Sequence, residues 1–162
     1  AIDPANTLAQ EQARLVIGTL GIIAQRLPLQ YRYDRDELRR GIELAGRLGE
    51  RLPASGEAAA ALRQLAASAA QGTEVLERAR AEPAELEGAV RALRSAVGEV
   101  IQAAYPAADA AGRKTLGALV ADASREQLLR ERAWLSPFGF EPDPKLIPPV
   151  ETLLAPVAQA RS

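Results

Sequence analysis

Apolar residues recur along this chain at intervals of three and four, the period of an amphipathic helix. The clearest stripe is Leu38, Ile42, Ala45, Leu48 and Leu52, with Asp36, Arg39, Arg40, Glu43, Arg47 and Glu50 covering the other side. A second is Leu86, Val90, Leu93, Val97, Val100, Ile101 and Ala104, whose spacing is that of knobs-into-holes packing. The first segment differs. From about Pro4 to Leu27 it carries Leu15, Val16, Ile17, Leu20, Ile22, Ile23 and Leu27 nearly all round. An all-round apolar helix is expected at the centre of a bundle, with Gly18 and Gly21 allowing a close crossing.

Punctuation residues divide the pattern. Asp3 and Pro4 suit a helix start, and Pro28 is expected to stop that helix. Leu29 to Tyr33 then reads as a partly extended linker, and Asp34 with Glu37 as a capping box opening the next helix, which Pro53 ends. Ser55 opens a third helix through Ala61, Leu62, Leu65 and Ala69. Gly72 closes it and Thr73 caps a short helix to Ala79, unless the two are one kinked helix. Glu82-Pro83 begins the second strong stripe and Tyr105-Pro106 breaks it. Asp109 to Asp122 predicts another helix, and Ser124 with Gln127 a further capping box for Arg125 to Trp134. Five prolines lie in the fourteen residues from Ser136 to Pro149, a composition that excludes regular helix. Val150 to Ala160 predicts a last short helix.

The expected fold is therefore all-α: a single up-and-down-like bundle of about six or seven helices with a Pro-rich extended C-terminal strap. Residues 1–135 form the bundle, 136–149 the Pro/aromatic strap, and 150–162 a short helix packed on the same domain. Repeat signatures are missing, so a stacked solenoid is disfavoured.

Composition narrows the function more than the fold. The 162 residues include no histidine, cysteine or methionine. The usual general base, the commonest metal ligand and the strongest nucleophile are thus missing. Zinc, haem, iron–sulfur and di-iron sites lose their standard ligands, and neither a phosphate-binding glycine loop nor a calcium loop is present. No catalytic residue, metal site or cofactor is assigned, and an enzyme is not expected. Lysine and arginine number 20 against 21 aspartates and glutamates, so no broad field draws nucleic acid to the chain. Lys114 and Lys145 are the only lysines, a bias toward arginine and alanine that fits a GC-rich bacterial genome. The uncharged stretch from Leu15 to Gln25 is too short to span a bilayer. A start at Ala1 fits either a processed periplasmic protein or a piece of a longer cytoplasmic one.

Two constellations stand out as candidate interaction sites. The run from Tyr31 to Arg40 contains Tyr31, Arg32, Tyr33, Arg35 and Arg39, residue types that dominate protein interfaces. The same run also reads as a self-paired, solvated helix start. The tail holds Trp134, Phe138 and Phe140, half of the chain's six aromatics. It is read either as a recognition strap for a partner's groove or as a strap laid over the chain's own bundle. The function expected is a non-catalytic interaction or accessory module, adaptor or regulatory, whose partner is another protein. The alternatives are an apolar small-molecule or lipid-binding accessory protein of the bacterial envelope, and a soluble domain of a larger membrane or signalling protein.

Overall fold

The computed structural model describes residues 6–78, 81–139 and 141–155. Among them there are five α-helices and no strand. These are α1 (Thr7–Arg51), α2 (Gly56–Glu77), α3 (Pro83–Ala107), α4 (Ala110–Leu135) and α5 (Val150–Leu153). Short 3-10 turns at Ser136–Phe138 and Pro144–Leu146 lie between α4 and α5. The segment 136–149 is thus not one extended strap: Pro137 and Pro144 each sit in the first turn of a 3-10 helix, where a missing N–H costs nothing.

The helix count is lower than the six or seven expected because three breakers do not break. Pro28 lies inside α1, which runs unbroken for 45 residues, so Leu29 to Tyr33 are helical rather than a linker. Asp34 accepts from Gln30 Nε2 at 2.9 Å instead of capping a new helix. Gly72 sits within α2 where that helix meets α1: a Cβ there would come within 3.1 Å of Leu38 Cδ1. Ser124 lies inside α4, and Gln127, its expected capping partner, instead donates to Glu131 Oε1 at 2.7 Å. At Pro28 and Gly72 side-chain contacts on both sides outweigh a local cost of about 1–3 kcal/mol, whereas a serine within a helix costs well under about 1 kcal/mol.

Caps confirm other boundaries. Asn6 Oδ1 accepts from Ala9 N at 3.0 Å to open α1, a cap farther along than Asp3, which lies outside the described residues. Asp109 Oδ1 accepts from Gly112 N at 2.7 Å for α4. Glu85 reaches back to the Glu82 amide at 2.9 Å for α3.

The main core joins the second half of α1 to α2 and α3. Leu38, Ala45, Leu48 and Leu52 meet Ala58, Leu65 and Val75 of α2 and Leu86, Leu93, Ala96 and Val100 of α3. α2 runs back along α1, since Gly72 faces Leu38 and Arg35 Nη2 donates to the Leu76 carbonyl at 2.8 Å. Gly41 is the point of closest approach to α3: a Cβ there would stand 2.7 Å from Leu93 Cδ2. α4 crosses to the opposite face of α1 and runs antiparallel to it, with Glu126 beside Arg40, Arg130 beside Asp36 and Trp134 beside Arg26. A smaller core of Tyr33, Ala133, Val150 and Leu154 closes that face.

A further expectation is overturned. The first half of α1 is not the centre of the bundle. At about 1.5 Å per residue, α1 is roughly 67 Å long, whereas the 22 to 26 residues of α2, α3 and α4 reach less than 40 Å. The bundle covers α1 only from about Arg26 onward. Residues 7–25 project as an arm. Leu8, Leu15, Val16, Ile17, Leu20, Ile23 and Leu27 are all between 50% and 71% exposed. A Cβ added at Gly18 or Gly21 would meet nothing within 4 Å, so neither glycine serves a helix crossing within the described chain.

Candidate functional site

Three surfaces could act on another molecule: the polar junction at the base of the arm, a groove between α1, α3 and α4, and the arm itself.

The junction is built around Asp36, which is 2% exposed. Sequence periodicity places Asp36 on the solvated side of its helix; the structure buries it, because α4 and the segment after α5 cover that side. Its Oδ1 accepts from Arg39 Nη2 at 2.7 Å and from the Ala155 amide at 3.1 Å. Its Oδ2 accepts from Arg40 Nε at 2.8 Å and Arg130 Nη1 at 2.9 Å. Burial alone would raise its pKa. The hydrogen bonds from Arg39 and Arg40, the Arg40 charge and the Ala155 amide outweigh that and hold it at about 2. Four donors occupy both oxygens, so no lone pair remains to accept a substrate proton. Crowding three guanidinium groups onto one carboxylate leaves the buried Nε atoms of Arg39 and Arg130 without a hydrogen-bond partner. The arrangement is a clamp. It ties α1 to α4 and to Ala155, and Arg40 adds bonds to Glu126 at 2.7 Å and to the Leu153 carbonyl at 3.1 Å.

The residues singled out in the sequence meet here in part. Tyr33 and Trp134, from the two separate constellations, pack with centroids 4.7 Å apart and ring planes tilted by 52°, and Arg130 lies 5.7 Å over the Tyr33 ring. Burial pushes the Tyr33 hydroxyl up to about 12. Arg32 donates to the Ala155 carbonyl at 3.2 Å and Arg35 to the Leu76 carbonyl, capping the end of α2. Arg39 is held between Asp36 and Glu43. Tyr31 lies beside Arg35, whose guanidinium is 5.7 Å from its ring centre. Phe138 sits in the first 3-10 turn, 40% exposed. Phe140 lies outside the described residues. The arginines of the run are thus engaged within the chain, which leaves them little capacity for a partner.

Asp36 and Arg40 lie in the Tyr31–Arg40 run but are not among its candidate contact residues, and Arg26 and Arg130 fall outside both constellations. Arg26 Nε and Nη2 donate to the Trp134 and Ala133 carbonyls, both at 3.0 Å, completing the last turn of α4. Nothing in residue type or spacing distinguishes these arginines from the solvated ones. Only the long-range pairing does.

The groove has a volume of about 340 Å³. Its floor is the buried Leu93 with the partly buried Val90, Val97 and Ile101 of α3, Leu44 and Val120, left open to the groove because α4 leans onto α1 more than onto α3. Its rim mixes signs: Arg40 pairs with Glu126 and Arg94 with Glu37. Burial raises the Glu37 pKa despite Arg94 and Arg130 nearby.

The arm carries most of the large exposed aliphatic side chains among the described residues. Among the described residues no helix is long and apolar enough to cross a membrane, and no cluster of acidic residues could hold a metal ion. Comparison with known protein families, with characterised proteins and with solved structures finds nothing that matches this chain.

Proposed function

We propose that this chain is a non-catalytic helical interaction module, an adaptor or accessory protein, whose contact surface is the projecting half of α1. One observation carries the reading. Seven large aliphatic side chains stand at least half exposed on a helix that overhangs its own bundle. Patches of that size on a folded protein mark places where another molecule binds. The clamp at Asp36 supports it by fixing the base of the arm to α4, so that the arm projects from a rigid mount. Phe138, in the 3-10 turn that follows α4 and 40% exposed, is proposed as a second, smaller recognition element.

The test is a triple variant, Ile17→Gln with Leu20→Gln and Ile23→Gln. The expected result, measured on protein dilute enough that chains do not associate, is an unchanged unfolding midpoint together with loss of binding of a fluorescent apolar dye by the folded protein. A large drop in the midpoint would show that the arm belongs to the chain's own core and would overturn the reading.

A second reading is an apolar-ligand binder using the groove between α1, α3 and α4. Its volume lies within the few hundred Å³ typical of small-molecule sites, and its floor is aliphatic. A single lipid or other amphiphile retained in native mass spectrometry, and lost on Val97→Arg, would favour this reading over the first.

A further inference from the structure

We propose that the arm of α1 pairs antiparallel with the arm of a second copy of this chain, about a two-fold axis at Gly18. The proposal rests on the arm being a contact surface and names what covers it.

The exposed arm is ordered in its spacing. Ala9, Ala13, Val16, Leu20, Ile23 and Leu27 follow one another at steps of four, three, four, three and four, the seam of a coiled coil. After one further step of four across Pro28 the same stripe reaches Tyr31, is interrupted at Asp34, and resumes through Leu38, Gly41, Ala45, Leu48 and Leu52. That lower part is the face against which α2 and α3 pack. One face in a common register thus runs the length of α1, apolar except at Asp34, covered below by the chain itself and uncovered above.

The upper seam is complementary to itself. Inverted about Gly18, Ala9 falls opposite Leu27, Ala13 opposite Ile23 and Val16 opposite Leu20. Each layer sets a smaller side chain against a larger one, so the layers have similar widths. A parallel pairing would set each residue against itself, giving thin alanine layers beside wide leucine layers. It would also bring two bundles together at one end. The antiparallel alignment places each arm tip over the other copy's bundle shoulder, where Leu135 is 48% and Phe138 40% exposed. Gly18 and Gly21 lie away from the seam.

The area is sufficient. Val16, Ile17, Leu20, Ile23 and Leu27 each offer on the order of 100 Å² of apolar surface, about 500 Å² in all. A stable interface buries about 800 Å² per partner, of which roughly 65% is apolar in homodimers. The seam together with Ile17 beside it therefore supplies the apolar share that one side of such a dimer needs.

The experiment combines sedimentation velocity with disulfide mapping, which is clean because the chain has no cysteine of its own. The full chain should sediment as a dimer at micromolar concentration. Leu20→Glu should make it a monomer, at least a tenfold weakening, while Leu15→Glu, off the seam, should leave the dimer intact. Mixed Val16→Cys and Leu20→Cys proteins should cross-link to each other in preference to themselves. Cross-linking of each variant to itself would overturn the antiparallel arrangement. A full chain that stays monomeric overturns the proposal. If that monomer still binds apolar dye through the arm, or floats with phosphatidylcholine vesicles, the arm is a contact surface for something else and the interaction-module reading stands. If it binds neither, that reading falls as well.

Discussion

Asp36 and Arg130 form the most deeply buried charge pair among the described residues, 2.9 Å apart with side chains 1% and 4% exposed. Removing one member of such a pair strands the other. Asp36→Ala leaves Arg130 without its carboxylate and Arg39 and Arg40 without their shared acceptor, and should cost about 3–5 kcal/mol in denaturant unfolding. The pH dependence follows from the same residue. Its folded pKa of about 2 lies below the ordinary 3.8, so its stabilising contribution is complete above pH 4 and is lost as pH falls toward 2. The linkage amounts to on the order of 2 kcal/mol. Asp34 and Glu37 act in the opposite sense, because burial raises both and their protonation is easier in the folded state. Acid unfolding curves of the native chain and of Asp36→Asn should therefore diverge above pH 4 and converge near pH 2. Parallel curves across that range would remove Asp36 from the account. This burial was not legible in the sequence: Asp36, Arg39 and Arg40 have the spacing of a solvated face, and only α4, about ninety residues later, turns that face inward.

At the level of elements, periodicity found what packs locally and missed what is joined. The stripes of α3 and of the second half of α1 were readable because their apolar spacing is sustained and ends at effective caps. The continuity of α1 through Pro28 was not. Proline removes one helical hydrogen bond and crowds the preceding turn, at a cost of about 3 kcal/mol. The helix persists because Arg26, just before it, holds the end of α4, and Leu29 and Tyr33, just after it, pack in the second core. Pro28→Ala should restore the missing bond and stabilise the junction by up to about 3 kcal/mol, seen as slower amide exchange in residues 20–30. An unchanged exchange rate would mean that the arm is not continuous with the bundle helix. Where two helices meet most closely, the converse holds. Gly41→Val forces Leu93 aside and should destabilise by about 1–3 kcal/mol.

For the whole molecule, the all-α class was legible in composition and rhythm. The projection of the arm was not. An aliphatic surface on Leu15 to Leu27 states that something must cover it, but hydropathy does not say whether the cover comes from the same molecule. Relative helix length decides that, and it emerges only once Pro28, Gly72 and Ser124 are seen to lie within helices. The central claim is that the arm is uncovered by its own chain and covered by another molecule. Amide hydrogen exchange followed as a function of protein concentration tests it most directly. The account predicts that amides in residues 9–25 exchange fast in dilute protein and slow markedly as concentration rises, while those of α2 and α3 keep one rate throughout. Arm amides equally protected at every dilution would contradict it.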